Sequence, residues 1–314
     1  MKRQRILAVG LAASCSLLTL SLLPSCDGGK STPESGGSGS AGEGITKGTK
    51  TLKFSAIPDQ NSTELKEKYG PIAEYLSDTL GVPVEYVPST DYDASVNMFK
   101  NGEIQLAWFG GLTGVQAREA VEGAHAIAMG EEDAEFVSYF IANKDSGLMP
   151  SDDFPMGIAD KKFTFGSQTS TSGRLMPEHY LRVNTGKGPQ EFFTTPPAYS
   201  GSHDATLEQV ASGQFDCGVL NYSVYDKALA AGTITAENVP ILWKTPSYAD
   251  YNFTAHPDLE KDFGAGFTDK LKQALIDMKD PKLLSAFPRK AMIEAKDEDF
   301  EGIKKVAQDL GFLR

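Results

Sequence analysis

Short apolar runs alternate with amphipathic segments along the first half of the chain. Apolar runs of five to seven residues are typical of strands that are buried in a sheet. They cover residues 52–57, 82–87, 104–109, 125–129 and 136–142. Segments with the spacing of an amphipathic helix lie between them, at 63–80, 92–101 and 112–121. This alternation predicts a three-layer α/β lobe with helices on both faces of its sheet.

The pattern then repeats in a way that predicts a second α/β lobe. Its strand candidates are 163–165 and 215–220, and its helix candidates are 174–183, 203–212 and 222–231. Two further strands at 239–243 and 251–254 precede helical segments at 267–279, 281–287 and 297–309. We expect the first lobe at 51–144, the second at 145–246, and a tail at 247–314 that returns to the first. Crossings near 144–147 and 244–248 would then form a hinged cleft between the lobes.

The N-terminus has the pattern of a secretory leader. Basic residues within positions 1–5 precede an uncharged apolar run at 6–23, and the sequence Leu-Pro-Ser-Cys that ends at Cys26 resembles the bacterial lipobox. We therefore predict a lipoprotein signal peptide at 1–25 and a lipid anchor on Cys26. Residues 26–50 are rich in Gly and Ser and have almost nothing to bury, so we predict a flexible tether. The resulting location is extracytoplasmic, on a membrane.

Charge and cysteine content narrow the classes of function. The chain carries 30 basic and 42 acidic residues, a net charge of −12, which disfavours nucleic-acid binding. Without the leader the only cysteine besides Cys26 is Cys217, which lies in an apolar run and is predicted to be a buried thiol. Three of the histidines, His125, His179 and His256, are scattered, so neither a metal site nor a cofactor is predicted.

The segment from Phe163 to Pro177 carries the clearest functional pattern. A short strand ends at Gly166, and Ser170 to Gly173 then lead into a helix that Pro177 fits at its first turn. Hydroxyl groups would therefore lie beside backbone N–H groups that have no partner within the helix, at the positive end of the helix dipole. That arrangement suits a tetrahedral oxyanion. The alternative is a capped helix without a ligand.

Other polar loops follow the predicted strands, where α/β sheets bind small molecules. They are Asp59 to Asn61, Ser89 to Tyr92, Gly110 to Thr113 and Ser200 to Asp204. With these loops the chain resembles the phosphate/phosphite/phosphonate-binding periplasmic components of ABC importers. The matching motifs are Asp91-Tyr92, Trp108-Phe109-Gly110, Ser170-Thr171-Ser172-Gly173 and Gly201-Ser202-His203-Asp204, in the family's order. The stretch from Ile57 to Asn61 is most similar to the branch named for selenate binding.

The resemblance implies a two-lobe periplasmic binding protein of type II and a set of ligand contacts. Ser170, Thr171, Ser172 and the backbone at Gly173 would grip the oxyanion, and His203 would donate to it. Tyr92 and Phe109 would wall the pocket, and Asp250 would contact the rest of the ligand. Phe109 departs from the family's frequent Tyr and so lacks a hydroxyl donor. Asp59 and Gln60 complete the candidate set.

The function that follows is capture of a small oxyanion by lobe closure and its delivery to the permease and ATPase subunits of an importer, without catalysis. A hydrolase would need Ser170 or Ser172 as nucleophile and His203 as base, and the Gly-x-Ser-x-Gly elbow is missing. A ligand-sensing subunit of a receptor stays open as an alternative. The anion also stays open: a carboxylate facing it, from Asp59, Asp204 or Asp250, would favour phosphite or phosphonate, and a pocket of donors alone would favour selenate or sulfate.

Overall fold

The computed structural model describes residues 50–313; the predictions for the signal peptide, for Cys26 and for nearly all of the tether lie outside them. The strands are β1 (Leu52–Ala56), β2 (Val84–Tyr86), β3 (Leu106–Phe109), β4 (His125–Gly130), β5 (Ser138–Ala142), β6 (Phe163–Phe165), β7 (Ala198–Tyr199), β8 (Cys217–Asn221), β9 (Ile241–Lys244), β10 (Asn252–Ala255) and β11 (Met292–Glu294). The α-helices are α1 (Ser62–Leu80), α2 (Tyr92–Lys100), α3 (Gly111–Ala120), α4 (Met176–Thr185), α5 (Pro189–Phe192), α6 (His203–Ala211), α7 (Tyr222–Ala230), α8 (Asp258–Phe263), α9 (Phe267–Ile276), α10 (Pro281–Leu284) and α11 (Glu301–Asp309).

A six-stranded sheet in the order β11-β4-β10-β3-β1-β2 forms the centre of what we call the first lobe. β1 pairs in parallel with β2 and β3, whereas β10 lies antiparallel between β3 and β4. Both strands of the tail, β10 and β11, therefore belong to the sheet of the first lobe. Helices α1, α2, α3, α9 and α11 share one apolar core with this sheet.

The second lobe is built on a five-stranded sheet in the order β7-β6-β8-β5-β9. Its core is divided into two clusters. One joins Phe140 and Phe163 to Leu181 of α4, and the other joins Leu220 to Val210 of α6 and to α7. Separate clusters on the two faces of one sheet indicate the three-layer arrangement that the strand and helix pattern predicts.

The first crossing lies earlier than the sequence suggests. β5 hydrogen bonds to β8 and β9, so it belongs to the second lobe rather than to the first. The chain therefore crosses between β4 and β5, at 131–137, and not at 144–147. The pattern of apolar runs is misleading here because it identifies a buried strand without showing which sheet it joins.

The second crossing joins β9 to β10, at 245–251, and it lies beside the first. Phe136 and Tyr248 exchange backbone hydrogen bonds of 2.8 and 3.0 Å, and the Asp250 N–H donates to the Asp133 carbonyl at 3.0 Å. The buried Asp133 carboxylate accepts from Arg289 Nε and Nη2 at 2.8 and 2.6 Å. This ion pair fixes the first crossing to the C-terminal tail.

Among residues 50–313, no helix combines the length and the apolar character that a membrane span needs.

Candidate anion-binding site

A tight loop and one wide helical turn follow β6 and form the centre of the site. The Gly166 N–H donates to the Gly173 carbonyl at 2.9 Å, and the Leu175 N–H donates to the Ser170 carbonyl at 3.0 Å. A Cβ at Gly173 would lie 2.9 Å from Ser170 Oγ and 3.2 Å from His203 Cε1. Glycine is therefore needed at this position for the turn and the histidine to approach each other.

The three hydroxyl residues of this turn are buried and oriented by hydrogen bonds. Ser170 Oγ accepts from the Gly173 N–H at 2.9 Å, which makes Ser170 the cap of this turn. Thr171 Oγ1 accepts from the Leu112 N–H at 2.9 Å, and this contact joins the turn to the first turn of α3. Because both hydroxyls act as acceptors in these bonds, each can still donate its own proton to a ligand. The N–H groups of Thr171 and Ser172 belong to a first helical turn, where no intrahelical acceptor exists.

His203 faces the turn as a neutral donor. Its Nδ1 accepts from the Asn221 N–H at 3.3 Å, so the ring proton lies on Nε2. Nε2 is 3.5 Å from Ser172 Oγ. Burial lowers the pKa of His203 to about 4, which keeps the ring uncharged at neutral pH. The side chain therefore offers one N–H to an anion held by the turn.

Two buried carboxyl groups complete the site. Asp250 Oδ1 accepts from the Gly111 N–H at 2.9 Å, and Asp59 Oδ2 accepts from the Tyr251 hydroxyl at 2.8 Å. The second oxygen of each, Asp250 Oδ2 and Asp59 Oδ1, is buried without a hydrogen-bond partner among residues 50–313. Burial raises the pKa of Asp250 to about 7, and it also raises the pKa of Asp59.

Tyr92, another candidate contact of the ligand, carries a buried hydroxyl. It begins α2 with its hydroxyl buried, and that hydroxyl has no hydrogen-bond partner within the described part of the chain. Burial raises its pKa well above the usual range, and the charges of Asp59 and Asp250 raise it further. The hydroxyl therefore keeps its proton at neutral pH and can donate it to a ligand.

Three other candidates have partners of their own within the protein. Gln60 is partly exposed, and its side-chain oxygen accepts from Lys68 Nζ at 2.9 Å. Phe109 is fully buried in the core, with its ring 5.6 Å from that of Phe99. Asp204 Oδ1 accepts from the Ala205 N–H at 2.9 Å and belongs to the cap of α6.

Some groups at the site carry no sequence signal of their own. The N–H groups of Gly111 and Leu112 contribute through the backbone, and Tyr251 and Asn221 contribute through bonds to residues far away in the chain. Among these groups, only Tyr251 is marked in the sequence, because it directly follows the candidate Asp250. Within the described residues, no group of three or more His, Cys, Asp or Glu side chains is placed to hold a metal ion.

Comparison with known proteins decides the family. Residues 54–300 match the family described as ABC transporter, phosphonate, periplasmic substrate-binding protein. The chain belongs to this family. The resemblance seen in the motifs is thereby confirmed, and so is the prediction that the chain is a binding protein rather than an enzyme.

Individual members of the phosphonate-binding family support the same conclusion. The chain is 38% identical over 272 residues to the probable ABC transporter phosphite binding protein PhnD1 of Prochlorococcus marinus, covering 84% of this chain and 91% of that protein. It is 29% identical over 276 residues to the phosphate-import protein PhnD of Mycolicibacterium smegmatis, covering 84% and 79%.

Solved structures confirm the periplasmic binding protein fold. The structure of PhnD1 in complex with methylphosphonate superposes with a TM-score of 0.79 at 38% identity and covers 84% of this chain and 99% of that one. A binding protein component of an ABC phosphonate transporter from Pseudomonas aeruginosa shares the fold, with a TM-score of 0.72 at 20% identity and coverage of 82% and 85%.

Proposed function

We propose that this member of the phosphonate-binding family captures a small tetrahedral oxyanion of the phosphite, phosphonate and phosphate class. Donors come from the turn at Ser170, Thr171 and Ser172 and from His203 Nε2. The observation that supports this choice of anion is the buried free oxygen of Asp250, which can accept a hydrogen bond when the carboxyl is ionised.

A buried acceptor discriminates between anions by their protons. A phosphate-like group has a second pKa near ~6, so part of its population carries a proton at neutral pH. That proton can be donated to a carboxylate. Sulfate and selenate carry no proton at this pH, and two unmatched negative groups buried together cost on the order of several kcal/mol. The competing proposal, a selenate or sulfate binder, would need a pocket that presents donors alone.

The relatives support the same class of ligand. The Prochlorococcus protein is named for phosphite, the structure that resembles this chain at 38% identity contains methylphosphonate, and the Mycolicibacterium protein is named for phosphate import. All three anions are tetrahedral phosphorus oxyanions that can carry a proton. The central atom is the same, and the fourth substituent differs.

We further propose that Cys26 anchors the protein to a membrane and that ligand binding closes the two lobes about the paired crossings at 131–137 and 245–251. In its closed form, with the anion bound, the protein would deliver the anion to the permease and ATPase subunits of an importer. The hydrogen bond between Thr171 and the first turn of α3 supports closure, because it joins loops of opposite lobes. A receptor that senses the anion would use the same cleft.

Competitive titration calorimetry tests the choice of anion. Phosphite, methylphosphonate, phosphate, sulfate and selenate are compared at pH 6 and pH 8 with wild-type protein, with Asp250→Asn and with Asp204→Asn as the matched control. Wild-type and Asp204→Asn proteins should prefer a phosphorus anion, and Asp250→Asn should lose that preference. Tight selenate binding without a response to phosphite or phosphonate at either pH would contradict the proposal.

A further inference from the structure

The hydroxyl of Tyr251 makes two hydrogen bonds across the site. It donates to Asp59 Oδ2 at 2.8 Å and accepts from Asn221 Nδ2 at 3.0 Å. Asp59 follows β1 of the first lobe, whereas Asn221 ends β8 of the second. The Tyr251 hydroxyl therefore joins the two lobes.

Asn221 extends this connection to the ligand-facing histidine. Its backbone N–H donates to His203 Nδ1 at 3.3 Å, and the His203 N–H donates back to the Asp59 carbonyl at 3.0 Å. Asp59, Tyr251, Asn221 and His203 thus form a closed ring of hydrogen bonds, which we call the four-residue ring. All four side chains are buried, so water does not compete for these bonds.

The position of Tyr251 is fixed from the first lobe. Its ring is stacked with that of Trp108 in β3, with ring centres 5.6 Å apart and planes 21° apart. Arg289 lies over the same ring at 5.3 Å. The bond to Asp59 is therefore internal to the first lobe, whereas the bond to Asn221 crosses between the lobes and exists only when they are together.

We propose that Tyr251 is a positioning residue for anion capture: its hydroxyl orients the Asp59 carboxyl and, through Asn221, favours the closed arrangement in which His203 meets the ligand. Because Tyr251 occupies Asp59 Oδ2, the free acceptor is the other oxygen, Oδ1, which is buried and without a partner in the described chain. The inference rests on the proposed function, since it assigns a new residue to the same site.

Three variants test the ring. Tyr251→Phe removes the shared hydroxyl, and Asn221→Ser removes the amide donor while keeping an oxygen that can cap α7, as Asn221 Oδ1 does for the Val224 N–H at 2.9 Å. The third is the double variant. Tyr225→Phe is the matched control, because its buried hydroxyl donates to the Val239 carbonyl at 2.6 Å within the second lobe alone.

Methylphosphonate and phosphite affinities are measured by calorimetry for all variants. Tyr251→Phe and Asn221→Ser should each weaken binding about tenfold or more, the effect of one charge-assisted or bridging hydrogen bond. The double variant should bind the anions only slightly less tightly than the weaker-binding single variant, because both changes break the same hydrogen bond between Tyr251 and Asn221. Tyr225→Phe should stay within about twofold of wild type.

Thermal unfolding without ligand separates positioning from stability. Tyr251→Phe and Tyr225→Phe each lose buried hydrogen bonds and should both melt at a lower temperature, but only Tyr251→Phe should bind less tightly. Wild-type affinity in Tyr251→Phe, or additive losses in the double variant, would overturn the role of Tyr251 while leaving the proposed function intact. Wild-type protein that binds neither anion would overturn both.

Discussion

Thr171 Oγ1 accepts a hydrogen bond from the Leu112 N–H at 2.9 Å, so a side chain of the second lobe caps a helix of the first. The neighbouring Gly111 N–H donates to Asp250 at the same distance. A Cβ at Gly110 would lie 3.1 Å from Thr171 Oγ1 and 3.3 Å from Asp250 Oδ1, so glycine allows this approach. The start of α3 thereby orients two of the groups proposed to contact the anion.

We predict that Thr171→Ala and Ser172→Ala each weaken binding of the anion. Charge-assisted hydrogen bonds contribute roughly 1.5 to 3 kcal/mol, which corresponds to about 10- to 150-fold in affinity. Thr171→Ala should have the larger effect, because it also leaves the Leu112 N–H without its acceptor. Thr171→Ser keeps the hydroxyl and is the control for calorimetry. Unchanged affinity in both alanine variants would reduce the turn to a helix cap.

The raised pKa of Asp250 predicts a pH dependence of stability in the absence of ligand. The carboxyl binds a proton more tightly in the folded protein, with a pKa of about 7, than in the unfolded chain, with a pKa near ~4. Its contribution to the free energy of unfolding is therefore fully present below about pH 4 and is lost as the pH rises to about 7. Urea unfolding at pH 5 and pH 7.5 should show this loss, and Asp250→Asn should lack it. If the free energy of unfolding changed equally between pH 5 and pH 7.5 in both proteins, this pH dependence could not be assigned to Asp250.

Ligand is predicted to bring the lobes together about the crossings at 131–137 and 245–251. Small-angle scattering should give a smaller radius of gyration at saturating methylphosphonate than without it. The same measurement on a variant that does not bind, such as the Thr171→Ala and Ser172→Ala double variant, controls for effects of the anion on the solvent. Identical curves for free and saturated wild-type protein would argue against a hinge.

Arg289→Met is predicted to destabilise the protein strongly. It leaves the Asp133 carboxylate buried beside the first crossing without its partner, and breaking a buried pair in this way costs about 3 to 5 kcal/mol. Arg182→Met is the comparison, because Arg182 is partly exposed and its partner Glu178 also pairs with Arg174. That change should cost under ~1 kcal/mol in denaturant unfolding. If both variants lost a similar free energy of unfolding, the buried ion pair would contribute no more to stability than the partly exposed one.

Cys26→Ser is predicted to abolish lipid modification. The protein should then leave the membrane fraction or remain unprocessed, because the lipid is attached through the cysteine thiol. Fractionation and mass spectrometry of the mature N-terminus check this, with Cys217→Ser as the control for loss of a thiol. A variant that matures and fractionates like wild type would show that the lipobox prediction is wrong.

The turn after β6 could be predicted because its signals are local. A strand pattern, a glycine, capping hydroxyls and a proline lie within the fifteen residues from Phe163 to Pro177, and the structure places a cap at Ser170, the first residue of the hydroxyl run. The sheet to which β5 belongs could not be predicted in this way, because an apolar run indicates a buried strand but not the strands that pair with it. The ring through Tyr251 is also hidden, because its bonds join residues 30 and 192 positions apart.

Phe109 and Gln60 lie next to groups of the candidate site in the sequence, but each has a partner of its own in the structure. Phe109 ends β3, where successive side chains point to opposite faces, and its ring packs against that of Phe99 in the core of the first lobe. Gln60 follows Asp59 directly, yet it pairs with Lys68 on the outside. Gly111, whose N–H donates to Asp250, lies two positions after Phe109, and Asp59 lies one position before Gln60.

The place of β10 sets the order in which the two lobes can be completed during synthesis. Every strand of the five-stranded sheet lies between Ser138 and Lys244, so that sheet can finish as one continuous stretch of chain. The six-stranded sheet begins first but keeps a gap between β3 and β4 until β10 emerges. Until then, β3 lacks a hydrogen-bond partner on one edge and β4 lacks partners on both, so these edges are open to pairing with other chains. The lobe that starts first is therefore the last to be protected from aggregation.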